Sequence, residues 1–260
     1  MQKLTYTNSI YQTIPEKISL FARAFPDLSL YSRFLNVVFK ASSKAKRDKY
    51  TNDEWCISSY NCLRALEKIG VEFDISGIQH IERLETPCVI IGNHMSVLET
   101  VVLPVIIQPV KDVTFIVKES LLTYPVFGRV MRSRDPIAVT RTNPRQDLKS
   151  VLDGGLERLQ QGVSIIVFPQ TTRTHYFDPE QFSTIGVKLA QKANVPIIPL
   201  ALKSDAWGNG KRLKDFGKMN PSKRVHFAFD APIRVQSRGT EEHEAIIQFI
   251  TTKLDEWRDI

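Results

Sequence analysis

His94 and Glu99 stand five residues apart just past a short apolar run, and an imidazole beside a carboxylate is a pair suited to moving a proton. Val89, Ile90 and Ile91 read as a buried parallel strand, and Gly92 and Asn93 interrupt it where a strand gives way to a helix. His94 is therefore expected in a turn. If Ser96 caps the following helix, Glu99 falls in its first turn and the chain folds back far enough for the carboxylate to approach the ring. Backbone amides at that helix start disfavour a proton on His94, as a general base requires, and are also candidates to stabilise an oxyanion. A second reading uses the same residues. Ser96 and Glu99 have the spacing of a capping box, in which Glu99 only bonds back to the Ser96 amide. From these residues alone the two readings stand level.

Three cations follow other apolar runs. Lys118 ends the run from Val113, Arg141 follows Ile137 to Val139, and Arg173 follows Ser164 to Phe168. Singly, each is an ordinary solvated charge. If the strands run parallel, all three reach the sheet edge that carries His94, where ligands of open α/β sheets bind, and together they suit a phosphate.

The elements that must position these groups are legible as alternating short apolar runs and amphipathic stretches. Strands are predicted near residues 71–75, 89–91, 113–117, 137–139, 164–168, 195–202 and 225–229, with helices over 52–70, 144–161, 185–193 and 241–257. Strands alternating with helices predict an α/β fold, a mainly parallel sheet covered by helices on both faces. Ahead of it, Ile18, Phe21 and Phe25, then Leu30, Tyr31, Phe34 and Val38, recur at helical spacing on either side of Pro26, which predicts two short amphipathic helices. Residues 40–49 add five basic side chains and one acidic. We therefore divide the chain into a membrane-association segment, residues 1–50, and an α/β domain, residues 51–260.

Bulk properties narrow the class. The 260 residues are 42% hydrophobic and 24% charged, with net charge +7, enough for a full core and a basic surface. The basic balance is not interleaved with stacking aromatics, so nucleic acid is not expected as a partner. Cys56, Cys62 and Cys88 have neither metal-ligand nor disulfide-framework spacing, and the histidines form no His-x-x-x-His pair, so no metal is expected. Uncharged stretches fall well short of the ~20 apolar residues that span a bilayer, and the first residues lack the form of a signal peptide. A cytoplasmic protein, peripheral on the inner face of the membrane, is expected.

The order Asn93-His94-x-Ser96-x-x-Glu99 resembles the first signature block of the glycerolipid acyltransferase family, of the lysophosphatidic acid acyltransferase type. Lys118 followed by Pro125-x-Phe127-Gly128, the strand ending in Arg141, and Val195-Pro-x-x-Pro-Leu200 resemble further blocks, so the likeness runs from about residue 71 to 202. Phe168-Pro169-Gln170-Thr171-Thr172-Arg173 resembles the block Phe-Pro-Glu-Gly-Thr-Arg, with Gln170 in place of glutamate and Thr171 in place of glycine. The resemblance implies His94 as general base oriented by Glu99, with Lys118, Arg141, Gln170, Thr172 and Arg173 binding substrate. It makes Asn93, Ser96 and Pro169 structural. It implies an acyl-CoA or acyl carrier protein donor, a lysophospholipid acceptor, an anionic membrane surface and no cofactor. Rival readings are another lysolipid acceptor, suggested by Gln170 and Thr171, and a non-catalytic lipid-binding relative.

Overall fold

A computed structural model of the chain describes residues 2–170, 172–211 and 213–258. Eight strands form one sheet: β1 (Ile10–Gln12), β2 (Phe73–Ser76), β3 (Val89–Gly92), β4 (Val113–Lys118), β5 (Ile137–Val139), β6 (Ser164–Val167), β7 (Ile197–Lys203) and β8 (Val225–Phe229). Their order is β1-β2-β8-β7-β3-β6-β4-β5. The run from β7 through β3, β6 and β4 to β5 is parallel, as is β2 with β8, while β1 with β2 and β7 with β8 are antiparallel.

The helices are α1 (Leu20–Ala24), α2 (Pro26–Ala45), α3 (Asn52–Glu67), α4 (Gln79–Glu82), α5 (Leu98–Ile107), α6 (Phe127–Arg132), α7 (Pro144–Gln160), α8 (Ile185–Ala193) and α9 (Thr240–Glu256). They cover both faces. On β3, Ile90 packs into a core with α2, α3 and α5, while Val89 and Ile91 point to the opposite core with α7, α8 and α9. β6 divides likewise, Ile166 to the first side and Ile165 and Val167 to the other, as the two-residue period of a strand requires. Central strands buried on both faces read as unbroken apolar runs for this reason.

The N-terminal region departs from two short helices. After α1, α2 runs for 20 residues and takes in the first two basic residues of the cluster, Lys40 and Lys44, before it ends at Ala45. Pro26 sits at its first turn, where a missing amide costs nothing. The inner face of α2 buries Leu30 and Phe34, each worth about 1.5–3 kcal/mol, against Trp207 and its neighbours. Its outer side and α1 leave Leu20, Phe21, Phe25, Leu28 and Phe39 exposed. The strand β1, which carries no alternation long enough to read, pairs with β2 ahead of these helices.

α5 carries Glu99 and is apolar nearly all round, so it is buried behind α3. Pro104 lies inside it and weakens its ladder. Ser59 of α3 repairs part of the loss, its hydroxyl donating to the Val101 carbonyl at 2.7 Å and accepting the Val105 amide at 2.9 Å. No helix among the described residues is long and apolar enough to cross a membrane.

Candidate active site

Parallel alignment brings the ends of β3, β6, β4 and β5 side by side on one edge, in that order. His94 follows β3, Arg173 lies beyond β6, Lys118 ends β4 and Arg141 lies just past β5. Gly92, the last residue of β3, packs so close to β7 that a Cβ there would meet the Leu200 carbonyl oxygen at 2.9 Å. Asn93 then locks the turn to β7. Its buried side chain donates to the Leu202 carbonyl at 2.8 Å and accepts the Leu202 amide at 2.9 Å.

Glu99 is fully buried and His94 is 13% exposed. Glu99 Oε1 lies 2.8 Å from His94 Nδ1 and accepts the Met95 amide at 2.7 Å and the Ser96 amide at 2.9 Å. Oε2 accepts the Ser204 hydroxyl at 2.5 Å and lies 2.9 Å from the Ser96 hydroxyl. Burial pushes the Glu99 carboxyl upward, but the bond and charge of His94, with the Ser204 hydroxyl and Ser96 amide, outweigh it and hold it below the ordinary carboxylate range. An ionised carboxylate only accepts, so Nδ1 carries the proton, and in the neutral form of the ring the lone pair is on Nε2. The Phe168 ring stacks on the imidazole, centroids 4.4 Å apart and planes within 5°.

The two readings of Glu99 turn out to be compatible. The carboxylate reaches back to the Ser96 amide as in a capping box and holds the imidazole at the same time. The formal N-cap is Val97, and Ser96 accepts the Leu98 amide at 3.1 Å. Four of the amides at this turn, expected as candidates for an oxyanion, already have acceptors within the protein. Those of His94, Met95, Ser96 and Leu98 are committed to Gln170, Glu99 and Ser96 acceptors.

Gln170, buried beside Pro169, accepts the His94 amide at 2.6 Å through Oε1 and donates from Nε2 to the Thr174 hydroxyl at 2.9 Å. Both ends of its amide thus brace the His94 turn from β6. A glutamate could accept from His94 but could not donate to Thr174, and would put a second carboxylate beside Glu99. Thr171 lies outside the described residues. Thr172 accepts Lys214 Nζ at 2.7 Å, and Arg173, 14% exposed, pairs with Asp215 at 2.7 Å.

Arg141 has a left-handed backbone (φ 64°), the kind of strain that costs about 1–3 kcal/mol in a side chain other than glycine. Asp147 holds it there, accepting the Thr140 amide at 2.8 Å and the Arg141 amide at 2.7 Å. Partial desolvation lowers the Arg141 pKa, and the charge of Arg173 lowers it further. Arg141 and His94 line one cavity whose walls are mostly apolar, among them Phe34, Val38, Trp55, Phe115 and Val130. Lys118 is exposed at the same edge, outside that lining. Phe168, Ser204, Lys214 and Asp215 belong to the site without having been singled out from the sequence. Phe168 was readable as the first residue of its motif, whereas the other three come from a loop with no local signal.

A buried carboxylate–imidazole pair whose ring lines a cavity with mostly apolar walls, on a parallel sheet edge that also carries cations, defines an α/β protein with a site able to move a proton. The profile of the family described as Acyltransferase matches residues 72–203, and the chain belongs to that family. Among curated relatives it is 32% identical over 155 residues to a 1-acyl-sn-glycerol-3-phosphate acyltransferase of Pseudomonas aeruginosa, covering 60% of this chain and 58% of the relative. A chloroplastic 1-acyl-sn-glycerol-3-phosphate acyltransferase of Brassica napus is 30% identical over 138 residues, covering 53% of this chain and 38% of the relative. The chain thus spans little more than half, or less, of these relatives' length. The fold is that of the crystal structure of the 1-acyl-sn-glycerophosphate acyltransferase PlsC of Thermotoga maritima, with a TM-score of 0.66 and 19% identity over 90% of this chain and 97% of that one.

The depressed pKa of Glu99 gives a pH signature. A carboxyl held lower in the folded state stabilises it above the ordinary value of 4.5, and that stabilisation is lost as pH falls through the folded value. Glu99→Gln should therefore be less stable than wild type at pH 7, by about 2–4 kcal/mol in urea unfolding. The gap should narrow as the solution is acidified below the ordinary range. A gap independent of pH would show that Glu99 is not held as a carboxylate.

Proposed function

We propose that this protein transfers a fatty acyl group from a thioester, carried by coenzyme A or acyl carrier protein, to the free hydroxyl of 1-acylglycerol 3-phosphate. The product is phosphatidic acid, and the place of the reaction is phospholipid biosynthesis. The observation that carries this reading is the 2.8 Å contact of His94 Nδ1 with a fully buried Glu99, at a cavity with apolar walls that Arg141 also lines. Family membership and the names of the relatives support it.

In the reaction, Nε2 of His94 accepts the hydroxyl proton as the acceptor oxygen attacks the thioester carbonyl. Glu99 holds the ring and stabilises the imidazolium, which returns the proton to the departing thiolate. No acyl-enzyme forms. Arg173 and Arg141 hold the acceptor phosphate, joined by Lys118 at the end of the adjacent strand, so the hydroxyl is delivered to the base in one orientation. Gln170 and Asn93 act through the backbone of the His94 turn.

The division into residues 1–50 and 51–260 is functional in this reading. The exposed apolar residues of α1 and α2, beside the basic residues 40–49, lie in the headgroup region of an anionic leaflet, on the cytoplasmic side. Because α2 also contributes to the core, deletion is the wrong test. Replacing Leu20, Phe21 and Phe25 together by serine should lower co-flotation with anionic vesicles by about tenfold or more, with the thermal midpoint unchanged. Undiminished flotation would remove these helices from the membrane contact.

For the chemistry, His94→Ala should lower kcat by roughly 10³-fold or more with 1-acylglycerol 3-phosphate and either thioester donor. Wild-type turnover in that variant would end the mechanism. Arg173→Ala should raise KM for the phosphorylated acceptor far more than for 1-acylglycerol. An acceptor panel that includes lysophosphatidylglycerol and a lyso-aminolipid separates this reading from another lysolipid substrate. Lipid binding without turnover on any donor would favour a non-catalytic relative.

A further inference from the structure

The loop between β7 and β8 lies beyond the residues matched by the family profile, yet it rims the site on two sides. Asn209 donates to the Met95 carbonyl at 2.8 Å, next to His94. Five residues on, Lys214 and Asp215 grip consecutive residues of the segment after β6: Lys214 Nζ donates to the Thr172 hydroxyl at 2.7 Å, and Asp215 accepts Arg173 Nη2 at 2.7 Å. Two neighbouring residues therefore fasten onto two neighbouring residues.

This placement is fixed by the fold. The Met219 amide donates to Asp27 at 2.6 Å, the Tyr31 hydroxyl donates to the Gly217 carbonyl, and the Tyr31 and Phe216 rings lie 5.4 Å apart. The loop closes on itself where a Cβ at Gly217 would sit 1.7 Å from the Gly208 carbonyl oxygen. Lys214 is thus carried on a loop pinned to α2 at its far end, and its ammonium lies against the residue before Arg173.

An ammonium has three donors, and Thr172 takes one. Arg173, by contrast, already has one nitrogen bonded to a carboxylate, so part of its charge is offset before any ligand arrives. We propose that Lys214 binds the head group, contacting the acceptor's phosphate alongside Arg173 while Thr172 holds its ammonium in place; this rests on the acyl-acceptor reading above. A phosphomonoester offers several oxygens, enough to take hydrogen bonds from Lys214 and Arg173 together, whereas an uncharged acceptor offers Lys214 no counter-charge.

The test compares wild type, Lys214→Ala and Lys214→Arg on 1-acylglycerol 3-phosphate and 1-acylglycerol, in mixed micelles of fixed composition. Lys214→Ala should raise KM for the phosphorylated acceptor about tenfold with kcat nearly unchanged, and Lys214→Arg should recover most of that loss. In a His94→Ala background, where no turnover intervenes, the dissociation constant for the phosphorylated lipid should rise by the same factor and that for 1-acylglycerol should stay constant. An equal change for both lipids, or no change for the phosphorylated one, would overturn the assignment of Lys214. A wild-type protein that binds both lipids but acylates neither would instead overturn the acyltransferase reading, leaving the binding comparison to decide on Lys214.

Discussion

A carboxylate with no exposure to solvent sits at the centre of this site, and the surrounding structure is arranged to keep it charged. Burying an isolated carboxylate costs several kcal/mol, so Glu99 is tolerable only because hydrogen-bond donors converge on both of its oxygens. They come from the turn after β3, from Ser204 at the end of β7, and from the imidazole itself. Each donor removes a direction in which the carboxylate could move. The His94 ring is constrained in turn, by Glu99 on one edge, by Phe168 on its face, and by Gln170 and Thr174 on its backbone. One group satisfies both a helix start and a base, so capping and positioning are the same set of contacts.

The second constraint is the joining of distant segments. The sheet edge supplies His94 and the cations, but the apolar cavity is completed by α2 and α3, and the loop after β7 closes the side that holds Thr172 and Arg173. α2 touches both, lining the cavity with Phe34 and Val38 and holding the loop through Asp27 and Tyr31. In the proposed reaction the helix that meets the lipid surface therefore also helps shape the place where lipid chains and head groups lie.

What the sequence made legible is what local chemistry dictates. The strands β3, β6 and β7 appear as apolar runs because both their faces are buried, and His94 and Glu99 are near enough in sequence for a turn to bring them together. The parallel topology then placed Lys118, Arg141 and Arg173 on one edge without further information. Illegible were contacts across long stretches of chain. Ser204 meets Glu99, and Lys214 meets Thr172, only through tertiary folding, and a serine or lysine in a loop carries no periodicity that reveals its partner. The helix α2 was read too short because Lys40, Lys44 and the serines between them look like a solvated tail, while the structure buries Ser42 and pairs Lys44 with Glu54. Gln170 was expected to face substrate, yet both ends of its amide are used within the protein.

The central claim is that Glu99 fixes the proton of His94 on Nδ1 and leaves Nε2 as the base. Nitrogen-15 NMR of histidine-labelled protein, assigned by comparison with His94→Ala and recorded above the ordinary titration range of imidazole, reads this directly. The account predicts that His94 shows a protonated Nδ1 and an unprotonated Nε2, and that this preference weakens in Glu99→Gln. A His94 ring protonated on Nε2, or a tautomer indifferent to Glu99, would contradict it.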